Sequence, residues 1–154
     1  MSIHPIMSTV GYEGRAQHDV LRLLVDDEVS RLVDVRIRAQ SRKPGFSKTS
    51  LAAGLAEVGI EYEHLRDLGT PLDIRARFRA KETEEAREEY RAYLRGDLAA
   101  RLALETLAQR VAQEHVAILC FEHDHRVCHR AVIAEELAAS HGVVARHLGA
   151  PQVT

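Results

Sequence analysis

The chain lacks any apolar run approaching the roughly 20 residues that cross a bilayer. Its short N-terminal patch of Ile3, Ile6 and Met7 is interrupted by His4 and Pro5, so it also lacks a secretory hydrophobic core. No membrane partner is expected, and the expected compartment is the cytoplasm. Net charge is small, at −2 with a pI near 6.5. Nothing global then draws the chain to nucleic acid or membrane, and affinity for an anion has to come from local charge arrangement. Cysteine is scarce, with Cys120 and Cys128 alone. Cytosolic thiols are kept reduced, so a structural disulfide is not expected and the two read as buried, catalytic or metal-binding. Repeats, linkers and low-complexity segments are absent. At 154 residues and 45% hydrophobic content, residues 1–154 are expected to form one domain around one core.

What is present is an alternation of short apolar runs and helical patterns. Strands are expected at Ile6 to Val10, Leu32 to Val35, Glu61 to Leu65, Val116 to Phe121 and Val143 to Leu148. Helices are expected where Val20, Leu23 and Leu24 share a face, from about Ser47 with Leu51, Leu55 and Val58, around Leu104, Leu107, Ala108 and Val111, and around Val132, Ile133 and Leu137. Ser47 has the chemistry of an N-cap and Gly59 ends its helix. The charged stretch Lys81 to Arg95 reads as a solvated helix, with Tyr90 and Tyr93 packing on the domain. Between Pro71 and Arg79 no period is clear. Strands separated by helices imply right-handed crossovers, hence a three-layer α/β/α sandwich around a mostly parallel sheet of about five strands. Ligands of such sheets bind beyond the carboxyl ends of the strands. Those ends carry Tyr12, Glu13 and Arg15, then Asp34 and Arg36, then Arg66 to Gly69, then Cys120 and Glu122.

Between Asp34 and Glu57 the chain holds no acidic residue, yet it carries Arg36, Arg38, Arg42, Lys43 and Lys48, interleaved with Ser41, Gly45 and Ser47. Arginine forks pair with phosphate or carboxylate, and a helix starting after Ser47 offers unpaired N–H groups to an anion. The alternative is a solvated loop paired with surface acids. The second polar element runs from Cys120 to Arg130. Cys128 falls near the first turn of a helix beside His129 and Arg130, surroundings that favour a thiolate and make it the best nucleophile candidate. Cys120, at the end of an apolar strand, reads more as a core residue. Two cysteines with His123, His125 and His129 would also supply a zinc set, although the spacing matches no common finger or ribbon, and no metal ligands are assigned. Glu122 reads as a general base or as the anchor of a site arginine. His64 reads as internally satisfied. The two polar elements are expected to share one pocket.

The segments Thr9-Val10-Gly11-Tyr12-Glu13-Gly14-Arg15, Leu32-Val33-Asp34-Val35-Arg36, Ser41-Arg42-Lys43-Pro44-Gly45-Phe46-Ser47-Lys48, Leu119-Cys120-Phe121-Glu122 and Cys128-His129-Arg130 occur in this order. Together they resemble the bacterial and archaeal domain of unknown function 488, over about residues 8–148 and including Arg146-His147-Leu148. The resemblance implies an α/β fold and one shared site, and no established activity. The chain departs from the family at Ile37-Arg38-Ala39-Gln40, where a Pro-rich segment is expected.

Three functions fit these residues. The first is an enzyme, hydrolase or transferase, acting on a nucleotide, nucleic acid or small phosphorylated molecule. Arg36, Arg42, Lys48 and Arg130, with Tyr12, Glu13, Arg15 and Asp34, would bind substrate; Glu122 or His129 would move a proton and Cys128 would be the nucleophile or support the site. Phosphatase-like covalent chemistry is disfavoured, because Arg130 follows Cys128 by only two positions. The second is a non-catalytic nucleotide or nucleic-acid binder in which Tyr12 or Phe46 stacks on a base. The third is a Cys/His metal-binding protein. Neither cofactor nor oligomeric state follows from the residues.

Overall fold

A computed structural model describes residues 5–150, and the Ile3 and His4 positions of the N-terminal patch lie outside it. Five parallel strands form the sheet: β1 (Ile6–Gly11), β2 (Arg31–Asp34), β3 (Glu61–His64), β4 (Val116–Cys120) and β5 (Val144–His147), in the order β3-β2-β4-β1-β5. The expected strands are all present, each within a residue or two of its expected ends. Along β4, Val116, Ile118 and Cys120 face one apolar cluster while Ala117 and Leu119 face another, the two-residue period of a strand buried on both sides.

The helices divide accordingly. α1 (Gln17–Asp26) and α2 (Lys48–Glu57) place Val20, Leu24, Leu51 and Leu55 in one cluster. α3 (Leu72–Arg79), α4 (Thr83–Gly96), α5 (Leu98–Gln113) and α6 (His129–His141) cover the opposite face. Asp97 caps α5 by accepting from the Ala100 N–H at 3.0 Å, and α6 stops where Gly142 turns left-handed at φ 67°. No helix among the described residues is long and apolar enough to cross a membrane.

Two expectations need correction. α4 is amphipathic rather than solvated. Ala86, Tyr90 and Leu94 form a buried stripe at four-residue spacing, while Arg87, Arg91 and Arg95 pair with Glu135 and Glu136 of α6. Its Tyr90 hydroxyl donates to the Leu68 carbonyl and that of Tyr93 to the Asp67 carbonyl, so this pair does pack on the domain. The segment without visible period is helical at α3, where only Ile74 is fully buried, too few apolar positions to show a helical repeat.

Strand order positions the site. β4 lies between β1 and β2, whose crossovers run through α1 and α2 on one face, whereas β4 leads into α6 on the other. A crevice opens where neighbouring connections diverge, here at the carboxyl end of β4. Gly11 allows the close approach this requires, since a Cβ there would stand 1.8 Å from the Glu122 carbonyl oxygen. Gly69 does the same at the rim, where a Cβ would stand 2.4 Å from the Ile37 nitrogen.

Candidate functional site

A cavity of about 370 Å³ occupies this crevice. Cys120, Cys128 and His129 line it from β4 and the start of α6, Tyr12 and Arg36 from the ends of β1 and β2, and Glu122 from the turn after β4. Arg38, and Arg75, Phe78 and Arg79 of α3, also line it.

The β2 end is built around Asp34, which is fully buried. It accepts from Arg36 Nε at 2.8 Å and Nη2 at 2.6 Å, and from the Tyr62 hydroxyl at 2.6 Å. Arg36 Nη1 donates to the Phe46 carbonyl at 2.8 Å and to the Tyr12 hydroxyl at 3.2 Å. Burial alone would lower the Arg36 pKa, but its bonds to the Asp34 carboxylate more than offset this and raise it. Burial and the same carboxylate hold the Tyr62 phenol protonated well above its ordinary range. Arg36, expected to bind ligand, thus borders the cavity with most of its donors committed to the fold, and Asp34 orients it.

Arg130 is more fully committed still. It is 1% exposed and does not line the cavity. Its donors go to Thr9 Oγ1 at 3.1 Å, the Glu122 carbonyl at 2.6 Å, the His123 carbonyl at 3.2 Å and Cys120 Sγ at 2.9 Å. The expectation that it holds an external anion is therefore corrected: it ties the turn after β4 to β1. Burial lowers its pKa to about 10, with the Glu122 charge opposing. Thr9 Oγ1 shares a hydrogen bond with His147 Nδ1 at 2.6 Å, and burial beside His125 and Arg130 depresses His147 to about 4. The His125 and His147 rings stack with centroids 3.5 Å apart.

Cys128 is the N-cap residue of α6, as its place near a helix start suggested, but it is 1% exposed and its sulfur is paired with that of Cys120. Cys120 is a core residue, as expected, but no lone thiolate stands at Cys128, because the end of β4 and the start of α6 bring the two sulfurs together. The His129 Nε2–H donates to the Val35 carbonyl at 2.8 Å and leaves Nδ1 facing Cys128 Sγ at 3.6 Å. Burial lowers its pKa to about 4, so the ring is neutral at physiological pH. Glu122 Oε2 stands 3.5 Å from Cys120 Sγ, and burial raises the carboxyl pKa against the opposing charge of Arg130.

The remaining expected residues have internal partners or line an adjoining hollow. Tyr12 is stacked on Phe46 at 4.4 Å between ring centroids, and both are buried, which removes either ring as a free platform for a base. Glu13 accepts from the His123 N–H at 3.0 Å, and Arg15 clamps the carbonyls of Gly11 and Gly149, each at 2.6 Å. His64 is satisfied by the Arg36 carbonyl at 2.6 Å. Arg42 and Lys48 line a second, wider hollow of about 860 Å³ that shares Arg38 and Gln40 with the first. The single expected pocket is thus two adjoining ones, because the loop folds back on itself: Ser47 Oγ bonds the Ser41 backbone instead of capping α2.

Arg75 and Arg79 escaped the sequence pattern. The available signal was two four-residue pairs, Ile74 with Phe78 and Arg75 with Arg79, following Pro71. Among the described residues, the side chains of Arg38, Arg75 and Arg79 form no hydrogen bond or ion pair, unlike Arg36 and Arg130.

A family model described as Domain of unknown function DUF488 matches residues 17–137. The match takes in the Asp34–Lys48 and Cys120–Arg130 segments and leaves out the Thr9–Arg15 and Arg146–Leu148 segments. No match was found among curated proteins or among solved structures.

Proposed function

Since the chain belongs to the DUF488 family, whose description carries no activity, we propose from the cavity itself that the protein is an enzyme of the hydrolase or transferase class acting on a small phosphate-bearing molecule. The observation that carries this is the set of Arg38, Arg75 and Arg79, without side-chain hydrogen bond or ion pair among the described residues, around a cavity that also holds the Glu122 carboxyl. Three guanidinium groups outnumber the one Glu122 carboxyl in the cavity and so favour an anion, and arginine's planar fork suits phosphate oxygens. A volume of about 370 Å³ suits a small molecule rather than a duplex. The arginines hold the phosphate and stabilise charge developing on it. Glu122, whose Oε2 stands 3.5 Å from Cys120 Sγ, moves the proton. The free-standing nucleic-acid binder is the weaker alternative, because Tyr12 and Phe46 stack on each other.

The test is titration with inorganic phosphate and a panel of phosphorylated small molecules, followed by an activity screen on those that bind. Binding should weaken with added salt and fall about tenfold or more for Arg75→Ala, the loss of roughly one charge-assisted hydrogen bond. Glu122→Gln should lower kcat about 100-fold or more with little change in affinity. Affinity indifferent to both salt and Arg75→Ala would overturn the proposal.

A further inference from the structure

We infer that the cavity floor binds a divalent transition-metal ion of the zinc type through Cys120 Sγ, Cys128 Sγ and His129 Nδ1. The three ligand atoms lie within 4.8 Å of one another, and all three residues are buried and line the cavity. Three protein ligands beside an open cavity are the arrangement of a catalytic zinc site, in which the fourth position is left to water or substrate. Thiolate and imidazole select such an ion over magnesium or calcium, which take oxygen ligands.

The surroundings are those of a ligand set. His129 donates Nε2–H to the Val35 carbonyl at 2.8 Å, which fixes the ring and leaves the Nδ1 lone pair directed at the sulfurs. Arg130, itself buried, donates to Cys120 Sγ at 2.9 Å and so stabilises negative charge on that sulfur. The backbone spacing favours an ion over a direct bond. The cysteine Cα atoms are 7.8 Å apart, whereas disulfides usually span about 4.4–6.8 Å. Two metal–sulfur bonds of about 2.3 Å each bridge a wider gap than one sulfur–sulfur bond. In the reduced chain each thiol gives up its proton to solvent and both sulfurs ligate the ion; where the two sulfurs have paired, a thiol reductant must first supply two electrons and two protons. The ion's use in turnover rests on the phosphate-bearing substrate proposed above; its binding does not.

The experiment uses the full chain, purified under reductant without chelator and then exchanged anaerobically into buffer. Titration with cobalt(II) should develop a thiolate-to-metal charge-transfer band and the visible bands of tetrahedral cobalt, saturating near one ion per chain and lost on adding zinc(II). Cys120→Ser, Cys128→Ser and His129→Gln should each abolish or markedly weaken the bands. Should those variants fail to fold, the wild type decides: zinc should shield both thiols from a thiol reagent until a chelator is added. Absence of the cobalt bands, or equal thiol reactivity with and without zinc, overturns the metal site. Phosphate binding lost on Arg75→Ala would survive that failure, and cobalt bands would survive the absence of phosphate binding, so the two proposals fail separately.

Discussion

Arg36 and Arg130 differ from Arg38, Arg75 and Arg79 in what the fold has already given them. The first two are 8% and 1% exposed, and their donors are taken by Asp34, Thr9, backbone carbonyls and a cysteine sulfur. The other three reach the same cavity with no internal partner among the described residues. A positive residue near a site is therefore no evidence of ligand binding until its donors are accounted for. The committed pair shapes the cavity and the free trio gives it an electrostatic demand.

This contrast breaks most readily at its buried side. Asp34→Ala strands the buried Arg36 guanidinium and removes the acceptor of Tyr62, and should cost about 3–5 kcal/mol in urea unfolding. A loss under 1 kcal/mol would mean that Arg36 is not structural. Next in size is Arg75→Ala, which should weaken phosphate binding about tenfold while stability stays within about 0.5 kcal/mol of wild type; a large stability loss would move Arg75 into the committed group.

A pH effect follows from the burial of His147 beside His125 and Arg130. His147 is held at about 4 in the folded protein, below the ordinary histidine value of 6.5. The unfolded chain then binds the extra proton more readily. Its stabilising contribution is complete above about pH 6.5 and declines as pH falls toward 4. Melting temperature should drop across that window, and His147→Gln should flatten the drop; an unchanged slope would remove His147 as its source. The smallest effect is expected at Arg42 and Lys48, which line the adjoining hollow. Their replacement by Ala should change phosphate affinity less than threefold, whereas a tenfold loss would join the two hollows into one site.

Much of this was legible in the sequence. The alternation of apolar runs marks all five strands to within a residue or two, and the rule that ligands bind at parallel-strand ends brings Tyr12, Arg36, Cys120 and Glu122 to one edge. The family motifs in the Asp34–Lys48 and Cys120–Arg130 segments coincide with the matched residues. α3 was not legible, because a helix of eight residues with one fully buried position leaves almost no periodic trace.

By itself the sequence determined the layers, the strand ends and the chemistry carried there, because side-chain periodicity and turn preferences act between residues close along the chain. Only the tertiary structure decided that β4 lies between β1 and β2, that Cys120 meets Cys128, and that α3 brings two arginines to the cavity lining. These outcomes depend on which distant surfaces pack together, and a charge or a thiol acquires its role from the partner that packing brings to it.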